Sequence, residues 1–229
     1  YIMEIHKRRN ELIRPSVSNV DQTMIIISTK NPEFSSLVLD KFIAIISFNN
    51  VTPIICFTKL DLLNEQELIE IDKYTKYYRN LGYTVVNNTE LDTIRALFKG
   101  KLTVFTGQSG VGKSTLLNRL DTELHLLTGE VSKALNRGKH TTRHVELFSI
   151  FDGLVCDTPG FSSLELIGMK EMDIKNNFIE FDSNNCEYSD CMHIKETKCH
   201  IKDQVSNGEI LQSRYDNYIK LVGKKEYRG

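Results

Sequence analysis

A segment of eight residues carries the residue types that bind phosphate, at the spacing that phosphate binding requires. Residues 107–114 read GQSGVGKS and fit the pattern G-x-x-x-x-G-K-[ST] at every fixed position. Glycines let a backbone wrap a phosphate without Cβ clashes, and both the loop amides and the following helix N-terminus face the anion. Lys113 would neutralise charge on the β- and γ-phosphates, and the Ser114 hydroxyl would ligate Mg²⁺. The alternative is a glycine-rich turn with an accidental lysine.

The residues on either side of this segment favour a phosphate-binding loop. KLTVFT, at 101–106, predicts a buried strand, and TLLNRL, at 115–120, predicts the first turns of a helix. A strand, a loop and a helix in that order is the context in which this loop binds a nucleotide. We also expect Lys113 to contribute to catalysis. The predicted nucleotide contacts are Gly107, Gln108, Ser109, Gly110, Val111, Gly112, Lys113, Ser114 and Thr115.

A second motif, upstream of the loop, has the chemistry to read guanine. Thr58, Lys59 and Asp61 follow the apolar run IICF in the order T-K-L-D, which resembles the guanine-reading motif [NT]-K-x-D of GTPases. A carboxylate at Asp61 can accept hydrogen bonds from guanine N1–H and the 2-amino group, and adenine offers neither donor. Lys59 would lie along the face of the purine. The alternative is a helix start with Asp61 near its N-cap.

Two further segments have the residues expected around the γ-phosphate and Mg²⁺. Residues 157–160 read DTPG and match D-x-x-G, in which Asp157 would hold Mg²⁺ through water and the Gly160 amide would contact the γ-phosphate. Between the loop and this motif, residues 138–142 read GKHTT, and Thr142, or next to it Thr141, would offer a hydroxyl to Mg²⁺. The alternative for residues 157–160 is a Pro-Gly turn after a strand.

The order of these motifs along the chain is rotated. An ordinary GTPase has the phosphate loop first and the guanine motif last, whereas here the guanine motif comes first. This order predicts a circular permutation, which proteins tolerate when the original termini lie close together. As a consequence, the chain leaves the nucleotide domain soon after the D-x-x-G segment, which is the second switch of a GTPase. That switch is then covalently coupled to the segment that follows it.

A candidate metal site lies in that following segment. Cys186, Cys191, His193 and Cys199 have the spacing C-x4-C-x-H-x5-C. Three thiolates and an imidazole form a closed tetrahedral set of the structural zinc type, which leaves no position for a water nucleophile. The alternative, a disulfide, requires an oxidising compartment, which we do not expect here. The cluster therefore predicts one structural Zn²⁺.

Composition is that of an ordinary globular protein. The chain has 229 residues, of which 40% are hydrophobic and 26% charged, with a formal net charge of −1. Charge is nevertheless uneven, because residues 131–145 carry four lysines and arginines and no acid. A solvated loop whose charges serve a bound triphosphate explains this surplus, and so does a phosphate-rich partner such as RNA.

Alternating apolar runs and amphipathic stretches predict an α/β fold whose sheet is covered on both faces. After Gly168 the strand pattern stops, and helices are expected around the metal cluster. The predicted strands are 23–29, 52–58, 84–86, 101–106, 144–150 and 154–157. The predicted helices are 35–47, 65–80, 89–98, one that begins at 115, 171–181 and 206–222.

Taken together, the motifs TKLD, GQSGVGKST, GKHTT and DTPGFSSLEL and the cysteine–histidine cluster resemble the RsgA family, also called YjeQ, over essentially the whole chain. This is a family of ribosome small subunit-dependent GTPases. The resemblance implies a circularly permuted GTPase domain at 21–168 and a helical zinc-binding domain at 169–229. It also implies that residues 1–20 are the tail and linker of an N-terminal OB-fold that is missing from this chain.

The same resemblance implies a function and partners. Family members are cytoplasmic bacterial factors in late maturation of the small ribosomal subunit, and the subunit stimulates their GTP hydrolysis. We therefore expect GTP or GDP, Mg²⁺ and one Zn²⁺ as ligands, the small subunit and its rRNA as partners, no membrane association, and a monomer. Rival interpretations are an RNA-binding scaffold that retains nucleotide with little turnover, and a P-loop ATPase or small-molecule kinase, against which Asp61 argues.

Two further site assignments concern guanine O6 and the attacking water. Asn87 and Asn88 stand where relatives often have Ser-Ala, in a loop that contacts guanine O6 mainly through backbone amide. Phe161 follows D-x-x-G, where many GTPases place the glutamine that orients water, and an apolar ring cannot do this. His140 is our candidate for the missing group because it precedes the switch threonines and because a histidine can donate or accept a proton near neutral pH. The alternative for His140 is a supporting or RNA-facing residue.

Overall fold

The computed structural model describes residues 3–4, 7–12, 17–121, 146–157, 165–182 and 184–223. A short antiparallel pair, β1 (Glu11–Leu12) and β2 (Val17–Ser18), precedes the main sheet. The strands of that sheet are β3 (Gln22–Ser28), β4 (Thr52–Thr58), β5 (Thr84–Asn87), β6 (Leu102–Thr106), β7 (Glu146–Ile150) and β8 (Gly153–Asp157). The helices are α1 (Ser36–Phe48), α2 (Glu65–Asn80), α3 (Leu91–Phe98), α4 (Lys113–Leu120), α5 (Glu171–Asn176), α6 (His200–Ser206) and α7 (Gln212–Gly223).

The main sheet has the strand order β5-β4-β3-β6-β8-β7. Neighbouring strands are parallel, except for the antiparallel pair of β7 and β8 at one edge. From β3 the chain adds β4 and β5 on one side, and from β6 it adds the remaining strands on the other side. The order therefore reverses between β3 and β6, and ligands of open α/β sheets bind at the carboxyl ends of strands at such a point.

Side chains of the parallel strands are buried on both faces of the sheet. In β3, Ile25 and Ile27 pack in one cluster with α1 and α2, while Met24 and Ile26 pack in a second cluster with α3 and α4. A strand covered on both faces reads as a continuous apolar run, which is the pattern seen in the sequence. The predicted α/β fold with helices on both faces is therefore confirmed.

Capping residues determine where the two long helices α1 and α2 begin. The Ser35 side chain accepts a hydrogen bond from the Val38 amide and caps α1. Asn64 and Glu67 form a reciprocal capping box at the start of α2, in which the side chain of each residue accepts a hydrogen bond from the backbone amide of the other. The predicted bounds of α2 and β4 are confirmed residue for residue.

The region after Gly168 shares a hydrophobic core with the face of the sheet that packs against α1 and α2. Tyr218 and Leu221 of α7 belong to the same buried cluster as Leu39 and Ile43 of α1. The two helices α1 and α7 pack directly against each other. The C-terminal helices thus form one continuous packed body with the main sheet.

Several predicted helix bounds are wrong. The helix predicted at 171–181 ends at Asn176, because the chain then turns so that Phe178 and Phe181 enter the core. The helix predicted at 206–222 begins later, at Gln212 in α7, because Ser206 ends α6 and a left-handed turn at Gly208, whose φ is +79°, lies between the two helices. The helix predicted at 89–98 begins later, at Leu91, because the preceding residues form a turn. None of the described helices is long and apolar enough to cross a membrane.

Candidate nucleotide site and metal centre

The phosphate loop begins where β6 ends, at the point where the strand order reverses. Gly107 has a φ of +145°, and a Cβ added there would lie 2.3 Å from the carbonyl oxygen of Ile26 in β3. No side chain fits that close approach of two backbones, so the position requires glycine. Val111 is buried in the core beneath the loop, which leaves only its backbone for a ligand.

The second half of the loop leads into α4. Gly112 has a φ of +99° and precedes the first helical residue, Lys113. The Lys113 Nζ donates to the carbonyl oxygens of Gly107 at 2.7 Å and Gln108 at 2.8 Å, so the cation lies across the loop. Ser114 follows in the first turn of α4, whose unpaired amides favour an anion. Cation and helix N-terminus are thus positioned for a phosphate chain.

The T-K-x-D segment is hydrogen-bonded directly to this loop. The buried hydroxyl of Thr58 donates to the carbonyl oxygen of Val111 at 2.7 Å. Lys59, whose φ is +62°, extends its Nζ to the carbonyl oxygen of Gly110 at 2.8 Å and to that of Asn31. Asp61 lies in the short 3₁₀ turn Leu60–Leu62 and is exposed. The structure therefore brings these predicted residues to one edge of the sheet.

The loop that carries Asn87 and Asn88 lies beside that turn, at the carboxyl end of β5. The Asn87 amide donates to the carboxylate of Glu90 at 2.7 Å, and the Asn88 amide donates to the carbonyl oxygen of Phe57 at 2.9 Å. The Asn87 side chain accepts from the amide and hydroxyl of Thr89. Both amides are thus engaged within the protein, so a guanine O6 contact from either would require this turn to rearrange.

Asp157 is the last residue of β8. Cys156, one residue earlier, pairs in register with Val104 of the parallel neighbour β6. Because parallel strands end at the same edge, the backbone of Asp157 lies on the phosphate-loop side of the sheet. The other predicted residues of the γ-phosphate and magnesium site lie outside the described residues: His140, Thr141, Thr142 and Gly160.

The metal-ligating side chains converge in the C-terminal region. The ligand atoms of Cys186, Cys191, His193 and Cys199 all lie within 4.8 Å of one another. The His193 Nδ1 is 3.3 Å from the sulfurs of Cys191 and Cys199 and 3.7 Å from that of Cys186. Tetrahedral Zn²⁺ with ordinary bond lengths would separate nitrogen and sulfur ligands by about 3.5 Å. The four residues therefore fit a structural zinc ion.

Hydrogen bonding determines which nitrogen of His193 would face a metal. Its Nε2 lies 3.2 Å from the carbonyl oxygen of Phe181, which can only accept, so Nε2 carries the proton and Nδ1 is free to ligate. Burial raises the pKa of Cys191 to about 12, raises that of Cys199 and lowers that of His193. A bound cation would reverse the preference of the two thiols for protonation, so metal binding releases protons.

Three residues that no sequence motif singled out order the metal loop, residues 186–199. The Glu196 carboxylate accepts amides from Met192, Ile194 and Lys195 at 2.8–3.0 Å. Burial acts to raise the pKa of Glu196, but these hydrogen bonds outweigh it and lower the pKa to about 2. Tyr215 and Tyr218 of α7 donate to the carbonyl oxygens of His193 and Met192 at 2.6 and 2.7 Å. The only signal available was that Glu196 is the one acidic residue between His193 and Cys199.

Comparison with known proteins decides the family. The profile of a family described as RsgA GTPase matches residues 5–167, which is more than half of the chain. The chain belongs to the RsgA GTPase family. This membership makes it a GTPase and confirms the resemblance found in the sequence.

Relatives named as members of the RsgA family match nearly the whole chain. The protein named small ribosomal subunit biogenesis GTPase RsgA in Bacillus subtilis is 46% identical over 230 residues, covering 97% of this chain and 77% of the relative. The protein of the same name in Enterococcus faecalis is 44% identical, with 100% of this chain and 78% of the relative covered.

Solved RsgA-type structures share the fold. The crystal structure of YloQ, described as a circularly permuted GTPase, is 40% identical with a TM-score of 0.83, covering 99% of this chain and 75% of that one. The crystal structure of YjeQ from Thermotoga maritima is 34% identical with a TM-score of 0.84, covering 99% and 78%. The predicted circular permutation is therefore confirmed.

Proposed function

We propose that this chain hydrolyses GTP as a switch in late maturation of the small ribosomal subunit, and that the subunit stimulates hydrolysis. The observation that carries the proposal is the hydrogen bonding between the phosphate loop and residues 58–64, which contain the T-K-x-D motif and are called the guanine turn below. Thr58 and Lys59 each hydrogen-bond a loop carbonyl, those of Val111 and Gly110. A purine read by this turn is thereby placed in register with phosphates bound by the loop. The names of the relatives support the role in subunit biogenesis.

Several predicted site residues have a specific role in this proposal. Asp61 accepts two hydrogen bonds from guanine, and Lys113 neutralises phosphate charge. Mg²⁺, when bound, neutralises charge that develops on the phosphates; Ser114, Thr142 or Thr141, and Asp157 would hold it. The cysteine–histidine set would hold one Zn²⁺ in a structural role. We further propose a GTPase domain at 21–168 and a helical zinc-binding domain at 169–229.

We propose that the water-positioning group is His140. Phe161 cannot orient water, and residues 131–145 carry four cations next to that histidine. Binding of GTP and Mg²⁺ would draw Thr142 inward, and ribosomal RNA would then order the basic segment and bring His140 to the attacking water. Such a mechanism needs rRNA as a partner. We also propose that the protein acts in the cytoplasm as a monomer, without a membrane.

Measuring GTP turnover with and without purified small ribosomal subunits tests this function. We expect slow turnover alone and a marked increase with subunits, but no increase with large subunits at equal concentration. Competition by ATP for bound GDP should fail where GTP succeeds, because Asp61 reads guanine. A rate unchanged by small subunits would favour an RNA-binding scaffold, and equal competition by ATP would favour an ATPase or kinase.

A further inference from the structure

An ion pair outside the predicted nucleotide contacts joins two segments next to the guanine turn. Lys30, which follows β3, places its Nζ 2.9 and 3.0 Å from the two carboxylate oxygens of Glu67 in the first turn of α2. Both side chains are partly exposed, with relative accessibilities of 33% and 38%. An isolated pair of this kind contributes little to the free energy of unfolding. Its location suggests a different use.

Glu67 has a second set of contacts, to the end of the guanine turn. Its carboxylate accepts the Asn64 amide at 2.8 Å, and the Asn64 side chain accepts the Glu67 amide at 3.0 Å. One carboxylate thus caps α2 and binds Lys30 at the same time. The residue at which the turn ends, Asn64, is thereby tied to the segment that follows β3.

The other end of the turn is tied to the same segment. The Thr29 amide and hydroxyl donate to the carbonyl oxygen of Thr58 at 3.1 and 2.9 Å, and Lys59 reaches the carbonyl oxygen of Asn31. Between these ends lies Asp61, whose exposed carboxylate makes no hydrogen bond to another described residue. Nothing at Asp61 itself sets its direction, so the two tied ends of the turn must do so.

We propose that Lys30 and Glu67 are positioning residues that aim Asp61 at guanine and so set the preference for a purine with a 2-amino group. This inference rests on the proposed function, in which Asp61 reads guanine. The carboxylate must meet N1–H and the 2-amino group together, so a small rotation of the turn weakens the second contact first. Loss of the ion pair would therefore cost affinity for guanine more than for hypoxanthine, which lacks that amino group.

Affinities of the full chain for GDP and for IDP test the proposal in Lys30→Met and Glu67→Gln. The glutamine can still accept the Asn64 amide, so this variant keeps the cap while losing the charge. The matched control is Lys76→Met, which breaks an exposed ion pair with Asp72 in the same helix, 2.6 Å in length. Thermal unfolding of each variant reports any structural cost separately.

We expect the ratio of IDP to GDP dissociation constants to fall about two- to fivefold in both variants, the range that an exposed ion pair can supply. In the double variant the ratio should fall no further than in either single variant, and in the control the ratio should stay at its original value. A lowered melting temperature with an unchanged ratio would make the pair merely structural and overturn the proposal. If the unmutated protein bound GDP and IDP equally but still preferred both to ADP, the proposed reading of guanine by Asp61 would fail together with this inference.

Discussion

Arg214 of α7 donates to Asp40 of α1 at 2.6 Å, and neither side chain is more than 1% exposed. The two residues are 174 positions apart in the chain. The same guanidinium donates to both carboxylate oxygens of Glu180 at 2.7 and 3.2 Å and stacks 4.0 Å from the centre of the Phe178 ring. This buried ion network joins the C-terminal helices to the nucleotide-binding sheet, while Tyr215 and Tyr218 of the same helix hold the metal loop.

Replacement of Arg214 by methionine tests the network. Two buried carboxylates would lose their counter-ion, and breaking such a pair costs about 3–5 kcal/mol of the free energy of unfolding. Urea unfolding measures this cost. Lys76→Met, which breaks an exposed pair, should change stability by less than about 1 kcal/mol. Equal effects of the two substitutions would contradict a structural role for the network.

The pH dependence of stability should reveal Glu180. Burial acts to raise the pKa of Glu180, but the ion pair with Arg214 outweighs it and holds the pKa below its usual value. A lowered folded pKa contributes stability above the unfolded pKa of about 4.3, and this contribution is lost as pH falls through the folded pKa.

The expected result is a stability difference between the parent and Glu180→Gln that is largest above about pH 5 and shrinks on acidification. Urea midpoints measured from pH 7 down to about pH 2, below the lowered folded pKa, give this difference. Burial raises the pKa of Asp40, whose effect therefore has the opposite sign, but Asp40 is present in both proteins. A stability difference that grew as the pH fell would contradict a lowered pKa of Glu180 in the folded protein.

Gly107→Ala should damage the phosphate loop specifically. The added Cβ would meet the Ile26 carbonyl oxygen at 2.3 Å, so the loop must shift, and a shift of about 1 Å at a catalytic site costs roughly 100-fold in rate. Gly82→Ala is the control, because its φ is also positive, +91°, yet nothing lies within 4 Å of the added atom. The control should lose about 1–2 kcal/mol of stability from backbone strain and retain GTP turnover. Similar turnover in the two variants would rule out the clash as the cause.

Elemental analysis of protein purified without chelator should find one zinc ion per chain. Cys191→Ser should lower that content and the melting temperature of the C-terminal helices, because metal binding contributes folding free energy. Cys56→Ser, at a buried cysteine outside the cluster, should keep one zinc ion. X-ray absorption should give Zn–S distances near about 2.3 Å. Zinc-free protein with a fully ordered C-terminal region would disprove this assignment.

Substitution of His140 separates nucleotide binding from catalysis. His140→Ala should spare the affinities for GTP and for the small subunit and abolish most of the subunit-stimulated turnover, because only the attacking water loses its partner. Lys113→Ala should instead weaken nucleotide binding itself. Stimulated turnover and nucleotide affinity are measured for both. If His140→Ala turned over at the parent's stimulated rate, the histidine would be only structural or RNA-facing.

Much of this protein can be predicted from the sequence because the relevant information is local. The spacing of Gly107, Lys113 and Ser114 indicates a phosphate loop, and the Asn64–Glu67 capping box marks the start of α2. The rotated order of motifs indicates the permutation, and the cysteine–histidine spacing indicates the metal cluster. Each of these features depends on residues within about one turn or one loop, where backbone geometry alone limits the outcomes.

Only the tertiary structure decided which distant side chains meet. No local pattern pairs Arg214 with Asp40 or Lys30 with Glu67, because these contacts depend on how helices pack on the finished sheet. For the same reason, the structure alone showed that the Asn87 and Asn88 amides are already engaged. It also placed the break at Gly208, where burial of Ile210 competes with the helical pattern around it. Local propensity favours a helix or a strand in each segment, but the burial of partners distant in the sequence determines where that element ends and what it contacts.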